Sequence, residues 1–325
     1  MKAIALISGG LDSILAGCLI KEQGIDILPV NFKIPFVKSR ISSLVADSLG
    51  KELKTVDISG DFLKLLEKPA HGFGSNMNPC IDCKILMLKK AKEMIQPQGA
   101  AFIVTGEVLG QRPMSQHKRA LDIIAKKSGL DGLVVRPLSA RLLPQTLPEK
   151  EGWIKRDKLL DFNGRGRLGQ IRLAKDFGIK EYAQPAGGCL LTDPEFSNRL
   201  KDIILHQELN VSNIELLKFG RHFRISSDAK LIVGRNEKEN KELENLAKDR
   251  DYLFYPHQEL AGPTSLGRGD FSEDLIRLSC AITCRYCDLK GTASADIIYK
   301  RIPEKEDKIL KVLPIEEDKL ISFRI

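Results

Sequence analysis

Six residues near the start of the chain constrain it most. Ser8-Gly9-Gly10-Leu11-Asp12-Ser13 follows directly on the apolar run Ala3-Ile4-Ala5-Leu6-Ile7. It leads into an apolar helical pattern at Ile14, Leu15, Cys18 and Leu19. A buried strand that enters a glycine turn and leaves as a helix builds a cradle for an anion. Gly9 and Gly10 let the backbone approach closely, while free amides and the positive helix end point at the ligand. Ser8 and Ser13 add hydroxyl donors. Asp12 is out of place beside phosphate unless a cation stands between them, so it reads as a Mg²⁺ ligand. The plain alternative is an ordinary turn between strand and helix, but strand, S-G-G-x-D-S and helix in succession favour the cradle. The loop is not a G-x-x-x-x-G-K-[ST] phosphate loop, since it contains no lysine.

The loop resembles the PP-loop of the N-type ATP pyrophosphatases. That resemblance implies ATP cleaved between the α- and β-phosphates, AMP left on a substrate carbonyl oxygen, and a nucleophile that then displaces AMP. The family holds both amide-forming ligases and RNA sulfurtransferases. The loop therefore implies the activation chemistry and leaves the nucleophile open.

The pattern downstream fits such a fold. Ala3–Ile7, Ile27–Phe32, Leu53–Ile58, Ala101–Thr105 and Gly132–Arg136 read as strands. Leu11–Gln23, Ile41–Leu49, Ile81–Ile95, Ser115–Lys127 and Leu168–Phe177 read as helices. Strands alternating with helices predict an α/β domain whose parallel sheet is covered on both faces. Ligands on such sheets bind beyond the carboxyl ends of the strands. Ser8–Ser13, Asn31-Phe32 and Thr105-Gly106-Glu107 all stand at such ends. The resemblance implies that backbone near the second strand end and a later T-G-E-like turn hold the adenosine, which assigns Asn31, Phe32, Thr105 and Gly106.

Beyond Tyr182 the rhythm stops at the turn-rich segment Pro185-Ala186-Gly187-Gly188-Cys189. A helical piece, Glu195–Leu205, precedes a change of character near residue 205. Phe223–Val233 reads as strands about a Ser226-Ser227-Asp228 turn, Glu237–Asp251 as a charged helix, and Ser272–Lys290 as a long helix. The expected organisation is a first domain over 1–185, a linker over 186–205 carrying a third chemically interesting cysteine, and a smaller α+β domain over 206–325.

The chain has 325 residues, so two domains are the expectation, and 42% hydrophobic content suffices for a core. No apolar run approaches the roughly 20 residues needed to span a bilayer, and the first strand runs straight into the loop, so neither a membrane span nor a signal peptide is expected. Seven cysteines without a secretion signal point to a reducing cytoplasm, where clustered cysteines mean metal or redox chemistry more often than disulfides. The net charge of +8 is concentrated in one place. Between Gln111 and Arg172 fourteen Lys and Arg face six acids, an excess equal to the net charge of the whole chain. A basic stretch in an otherwise neutral protein points to a polyanion partner, nucleic acid above all, although each single lysine is ordinary solvated surface. Lys84, Arg112, Lys118 and Arg119 are candidates to hold phosphate or RNA.

Asn78-Pro79-Cys80-Ile81-Asp82-Cys83-Lys84 opens an apolar helical stretch. Asn78 suits a helix N-cap and Pro79 the first helical position. That puts Cys80 and Cys83 in the first turn, where the helix dipole and Lys84 are expected to favour thiolate. Cys189 follows a Gly-Gly turn. Three such cysteines can ligate three irons of a [4Fe–4S] cluster and leave the fourth iron open to hydrosulfide. Alternatively one carries a persulfide and another resolves it. Cys280, Cys284 and Cys287 have the C-x-x-x-C-x-x-C spacing of a radical-SAM cluster, but they fall on one face of a C-terminal helix beside Leu275, Leu278, Ile282 and Leu289. They read as core cysteines.

Asn-Pro before a cysteine at a helix start, with another cysteine in a later Gly-Cys segment, resembles the tRNA 2-thiouridine synthases. Thr105-Gly106-Glu107-Val108-Leu109-Gly110-Gln111 followed by Ser115-Gln116 resembles the tRNA 4-thiouridine synthetases. In both, ATP activates a uridine carbonyl as an adenylate and sulfur replaces the oxygen. The resemblance covers about residues 1–195 and matches Cys83 and Cys189 to the active-site pair. Cys80 stands where one branch has Asp, which makes three thiolates and favours the iron–sulfur version. The N-terminal RNA-binding domain of the 4-thiouridine enzymes has no counterpart ahead of the loop, so tRNA docking is expected to differ. Phe223–Asp228, Ile232-Val233-Gly234-Arg235-Asn236 and Asn240–Leu243 resemble the NFACT RNA-binding domain, which implies an accessory module.

The sequence thus predicts an ATP-dependent tRNA sulfurtransferase. Ser8, Gly9, Gly10, Asp12 and Ser13 would bind ATP and Mg²⁺. Cys80, Cys83 and Cys189 would carry the cluster or relay sulfur from a hydrosulfide or persulfide donor. The rival readings are a PP-loop amide ligase, which has no need of three cysteines, and a non-catalytic RNA-binding protein.

Overall fold

The computed structural model describes residues 1–37, 48–182, 189–257, 260–289, 291, 293–304 and 306–325. The chain divides into two compact units, Met1–Thr192 and Asp193–Ile325.

The first unit is built on five parallel strands: β1 (Lys2–Leu6), β2 (Asp26–Lys33), β3 (Lys54–Asp57), β4 (Phe102–Thr105) and β5 (Val134–Val135). Their order is β3-β2-β1-β4-β5, with Leu6 level with both Val30 and Thr105. The chain moves outward from β1 on one side through β2 and β3, then crosses to the other side for β4. The loops after β1 and β4 therefore leave a crevice between them, the place where such sheets bind ligands. The helices are α1 (Leu11–Lys21), α2 (Ser59–Glu67), α3 (Cys80–Ile95), α4 (Lys118–Lys127) and α5 (Leu168–Asp176). α1 is buried almost all round, from Leu11 through Ile20. Its Leu11, Ile14 and Leu15 share one core with Ala3, Ala5 and Ile7 of the first strand segment and Phe102 and Val104 of β4.

The five expected strands are all present, and the α/β class is as read. The helix expected over 41–49 lies largely outside the described residues, as does the turn 185–188. α2 was not anticipated. The helix expected from Ser115 starts at Lys118, because His117 Nδ1 caps it by accepting from Ala120 N at 3.2 Å. Gln116 O is meanwhile held by Gly110 N at 2.7 Å.

The second unit opens with α6 (Pro194–Leu205), so the latter part of the expected connecting segment is helical. Asp193 caps α6 by accepting from Phe196 N at 2.7 Å. After α7 (Val211–Leu216) come β6 (Arg221–Ser226), β7 (Ala229–Val233), α8 (Glu237–Leu246), β8 (Tyr252–Pro256), β9 (Ser265–Gly269), α9 (Glu273–Arg285), β10 (Ala295–Arg301), β11 (Lys308–Val312) and α10 (Glu317–Phe323). The six strands pair antiparallel in the order β11-β10-β8-β9-β7-β6.

Two helices here are shorter than expected, for tertiary reasons. α8 stops at Leu246 because Arg268 draws in both Leu246 O and the Asp251 carboxylate. α9 has the expected Ser272 cap, but ends at Arg285. Its last turn tightens through Tyr286 N to Thr283 O, and Asp288 N is drawn away to Ala261 O at 2.8 Å. Cys280 and Cys284 are fully buried and Cys287 packs against the same apolar cluster, with Ile282 between them. Burial pushes the Cys280 and Cys287 thiols up to about 12. These cysteines serve the core.

Among the described residues no helix is long and apolar enough to cross a membrane.

Candidate nucleotide and thiol site

The loop after β1 is drawn tight by one hydroxyl. Ser13 Oγ donates to Gly10 O at 2.8 Å and accepts from Ser8 N at 3.2 Å. Gly9 takes φ +79°, the left-handed region that glycine enters without steric cost. Gly10 stands at the N-cap of α1 without a side-chain cap. The first amides of α1 thus face the loop with no side chain spent on them, the arrangement that favours an anion. Gly106, in the turn after β4, lies directly against this loop. A Cβ there would collide with the backbone of Asp12 and Ser13. The sheet order brings these two turns together, and the missing side chain lets them touch.

Asn31 and Phe32 lie in the last part of β2, next to β1. Asn31 Nδ2 donates to Ile7 O at 2.7 Å and so holds the β1 exit; the Phe32 ring is buried. Thr105 Oγ1 donates to Glu107 Oε2 at 3.1 Å. Glu107 also accepts from Arg136 Nε at 2.9 Å and lies 3.8 Å from Lys84 Nζ. Burial alone would raise the Glu107 carboxyl, but Arg136 and Lys84 outweigh it and hold it below the ordinary glutamate value. Lys84 is thereby a neighbour of the T-G-E turn.

Asp12 stands at the mouth of the cradle. Its Oδ2 accepts from Gln111 Nε2 at 3.1 Å, and its Oδ1 lies 3.6 Å from Arg167 Nη2. Oδ1 is shielded from solvent and has no hydrogen-bond partner. An orphaned carboxylate oxygen beside a glycine loop fits a hard divalent cation. In the sequence Gln111 reads only as the end of the Thr105–Gln111 motif and Arg167 only as part of the basic stretch, because nothing local in their segments marks them as partners of Asp12.

The thiols stand on α3 and on the segment after residue 188. Cys80 opens α3, but the cap differs from expectation. Pro79 occupies the N-cap position and no side chain caps the helix. Asn78 instead turns its amide to sulfur: Nδ2 lies 3.3 Å from Cys80 Sγ and 3.6 Å from Met114 Sδ. Cys189 pairs with Val37 in an isolated antiparallel bridge, and the next residue, Leu190, donates to Phe36 O at 2.9 Å. Asn76 Nδ2 donates to Thr192 O at 2.8 Å, tying the segment before α3 to the segment after Cys189. Cys80, Cys83 and Cys189 lie close enough that Cys80 and Cys189 each raise the Cys83 thiol, and Cys80 raises Cys189. All three are free.

The expected thiolates are not found at two of these positions. Burial pushes Cys83 up to about 12 against the opposing charge of Lys84, and burial also raises Cys189 against that of Arg112. Desolvation outweighs the helix end and the neighbouring cations. Among the described residues no group of three or more His, Cys, Asp or Glu is arranged to hold a metal ion. Three thiols suit a cluster in the kind of donor, but among the described residues they are not gathered into a metal-holding group. Beside them, Asp82 binds both His71 N and His71 Nδ1 at 2.8 Å. That pair anchors the preceding loop on α3, and no local pattern signalled it.

Consecutive residues of one loop join the halves of the site. Gln111 reaches Asp12, while Arg112 places its charge near Cys189. Arg112, Lys118 and Arg119 are exposed.

Comparison with known proteins agrees with this picture. Residues 1–141 match the family described as thiamine biosynthesis protein (ThiI), and residues 220–324 match the NFACT protein RNA binding domain. The chain is similar to the probable tRNA sulfurtransferase of Thermococcus kodakarensis, 28% identical over 142 residues that cover 42% of this chain and 36% of the relative. It is also similar to that of Methanosarcina mazei, 33% identical over 119 residues that cover 34% of this chain and 29% of the relative. These matches span about a third of either relative's length. A crystal structure of a 4-thiouridine synthetase–RNA complex with bound ATP aligns at 22% identity and a TM-score of 0.39, over 66% of this chain and 52% of that one. Both resemblances read from the sequence, at the two ends of the chain, are thus found.

Proposed function

We propose that this chain, ThiI-like over its first 141 residues and NFACT-like over its last hundred, is an ATP-dependent tRNA sulfurtransferase. The observation that carries the reading is the loop in which Gln111 touches Asp12 and Arg112 neighbours Cys189. A PP-loop amide ligase or a non-catalytic RNA-binding module has no use for thiols set beside the nucleotide cradle.

In this reading the amides of Gly9, Gly10 and the start of α1, with Ser8 and Ser13, bind the phosphates of ATP, and Asp12 holds Mg²⁺ through Oδ1. Asn31, Phe32, Thr105 and Gly106 line the adenosine side. A uridine carbonyl oxygen attacks the α-phosphorus and pyrophosphate leaves with the electron pair of the broken P–O bond. A sulfur nucleophile then adds to the activated carbon, and AMP departs with the former carbonyl oxygen. Donors fixed beside the α-phosphate stabilise the charge that develops there. One of Cys80, Cys83 and Cys189 takes the outer sulfur of a persulfide carrier, whose own thiol leaves, and a second cysteine releases that sulfur to the substrate by closing a disulfide with the first; hydrosulfide would instead be held by a cluster. A [4Fe–4S] cluster bound by these three thiols would present exchangeable sulfur on the iron that the protein leaves open. Loading it requires Cys83 and Cys189 to lose the protons that burial now retains. The exposed Arg112, Lys118 and Arg119 and the second unit contact the RNA, and the free cysteines suit the cytoplasm.

The test is pyrophosphate release from ATP in the presence of tRNA, followed by mercury-gel detection of thiolated tRNA after anaerobic reconstitution with iron and sulfide. The expected outcome is tRNA-dependent pyrophosphate release and a retarded tRNA band. Pyrophosphate release with an amine acceptor and no dependence on tRNA would instead establish the ligase.

A further inference from the structure

The pair formed by Asp12 and Arg167 is incomplete. At 3.6 Å the contact is too long for a full hydrogen bond. Both side chains are about four-fifths buried, 19% and 20% exposed. Asp12 Oδ1 and Arg167 Nε are each cut off from solvent with no hydrogen-bond partner. Buried polar atoms are almost always satisfied, so two orphans on one incomplete pair mark a place where something else binds.

Arg167 is held there by its loop. Leu109 and Asn163 form an isolated parallel bridge, and Gly164 N donates to Leu109 O at 2.7 Å. Gly110, at φ +75°, has its Cβ position filled by Asn163 Oδ1 and the Gly164 backbone. The segment Asn163–Arg167 is thereby sewn to Leu109–Gln111, the same loop that places Gln111 on the other oxygen of Asp12. α5 then packs on α1, the helix that starts at the cradle. Arg167 thus reaches Asp12, at the start of α1, from a segment far away in the sequence.

We propose that Arg167 is a phosphate-binding residue of the nucleotide site: its guanidinium leaves Asp12 for the β- and γ-phosphate oxygens of ATP and stays with them as pyrophosphate departs. This rests on the nucleotide reading above. A fork of N–H donors suits two phosphate oxygens better than the point charge of a lysine. The cradle contains no lysine of its own, so the positive charge reaches the loop from this distant segment. The exchange also frees Asp12 Oδ1 to face the cation that accompanies the nucleotide.

Calorimetric titration of the full chain, R167Q and R167K with ATP and with AMP, in the presence of Mg²⁺, tests the assignment. The expected result is at least a tenfold loss of ATP affinity in R167Q, an intermediate loss in R167K, and AMP affinity within twofold of the parent in both. R167Q that melts with the parent and binds ATP equally well overturns the proposal. So does an equal loss for ATP and AMP, which marks Arg167 as a structural tether. If R167Q does not fold, R167K alone decides between these outcomes. A parent chain that binds no ATP overturns the nucleotide reading itself, and this inference with it.

Discussion

Gln111 gives its side-chain amide to Asp12 across 3.1 Å, although Gln111 follows β4 and Asp12 stands in the first turn of α1, after β1. The contact exists because β1 and β4 are neighbours in the sheet and because Gly106 lets their exit turns touch.

Gly106→Ala puts a methyl group into the backbone of Asp12 and Ser13. Overpacking of this kind costs about 1–3 kcal/mol, and the displaced element here is the cradle itself. The variant is expected to melt several degrees lower and to lose most of its ATP affinity. Thermal melts and ATP titration check this; unchanged ATP affinity in the folded variant would sink the link between the two turns.

Replacing Cys80, Cys83 and Cys189 together with alanine removes sulfur transfer while leaving activation. Pyrophosphate release with tRNA is expected to persist within a few fold of the parent, and the thiolated band on a mercury gel to vanish. Each single substitution is expected to reduce thiolation at least tenfold.

The buried pair of Glu107 and Arg136 makes stability depend on acid. The folded-state carboxyl lies below its ordinary value of 4.5, so its contribution is complete above that pH and is lost as pH falls through the lower folded value. Breaking a buried pair by removing one partner costs roughly 3–5 kcal/mol. Urea unfolding of Glu107→Gln is expected to show such a loss at pH 7 and a shallower decline than the parent on acidification.

Cys83 is expected to be a poor nucleophile in the resting protein. With its thiol pushed up to about 12, alkylation rises about tenfold per pH unit from pH 7 to 10 without levelling off. Mass-spectrometric labelling rates measure this. A plateau below pH 9 would show a thiolate that burial does not suppress.

Much of the first unit was legible from local pattern. The run Ala3–Ile7, the glycine turn and the apolar helix after it are contiguous, so strand, cradle and α1 could be read together, and the alternation of strands and helices implied the parallel sheet. What escaped was decided by distant partners. Arg167 is one arginine in a basic stretch, and only the bridge between Leu109 and Asn163 delivers it to Asp12. The Asn78 cap failed because its amide faces sulfur on Cys80 and Met114. The thiolate expectation failed at Cys83 because a helix start reveals charge but conceals enclosure. α9 ends early because Asp288 is claimed by Ala261, a partner far outside any helical window. The strands after β7 lack a clean alternation: β8 is apolar or aromatic throughout, β9 holds two glycines and an arginine, and β10 and β11 mix apolar and charged residues.

Cys280 and Cys284 have no exposed surface, and this divides the chain's sulfhydryls by location. A mild thiol reagent applied to the intact protein meets the partly exposed Cys80, Cys83, Cys189 and Cys287 and passes over this pair. Their sudden labelling signals that the second unit has come apart, so every sulfur-loading measurement carries its own internal gauge of integrity.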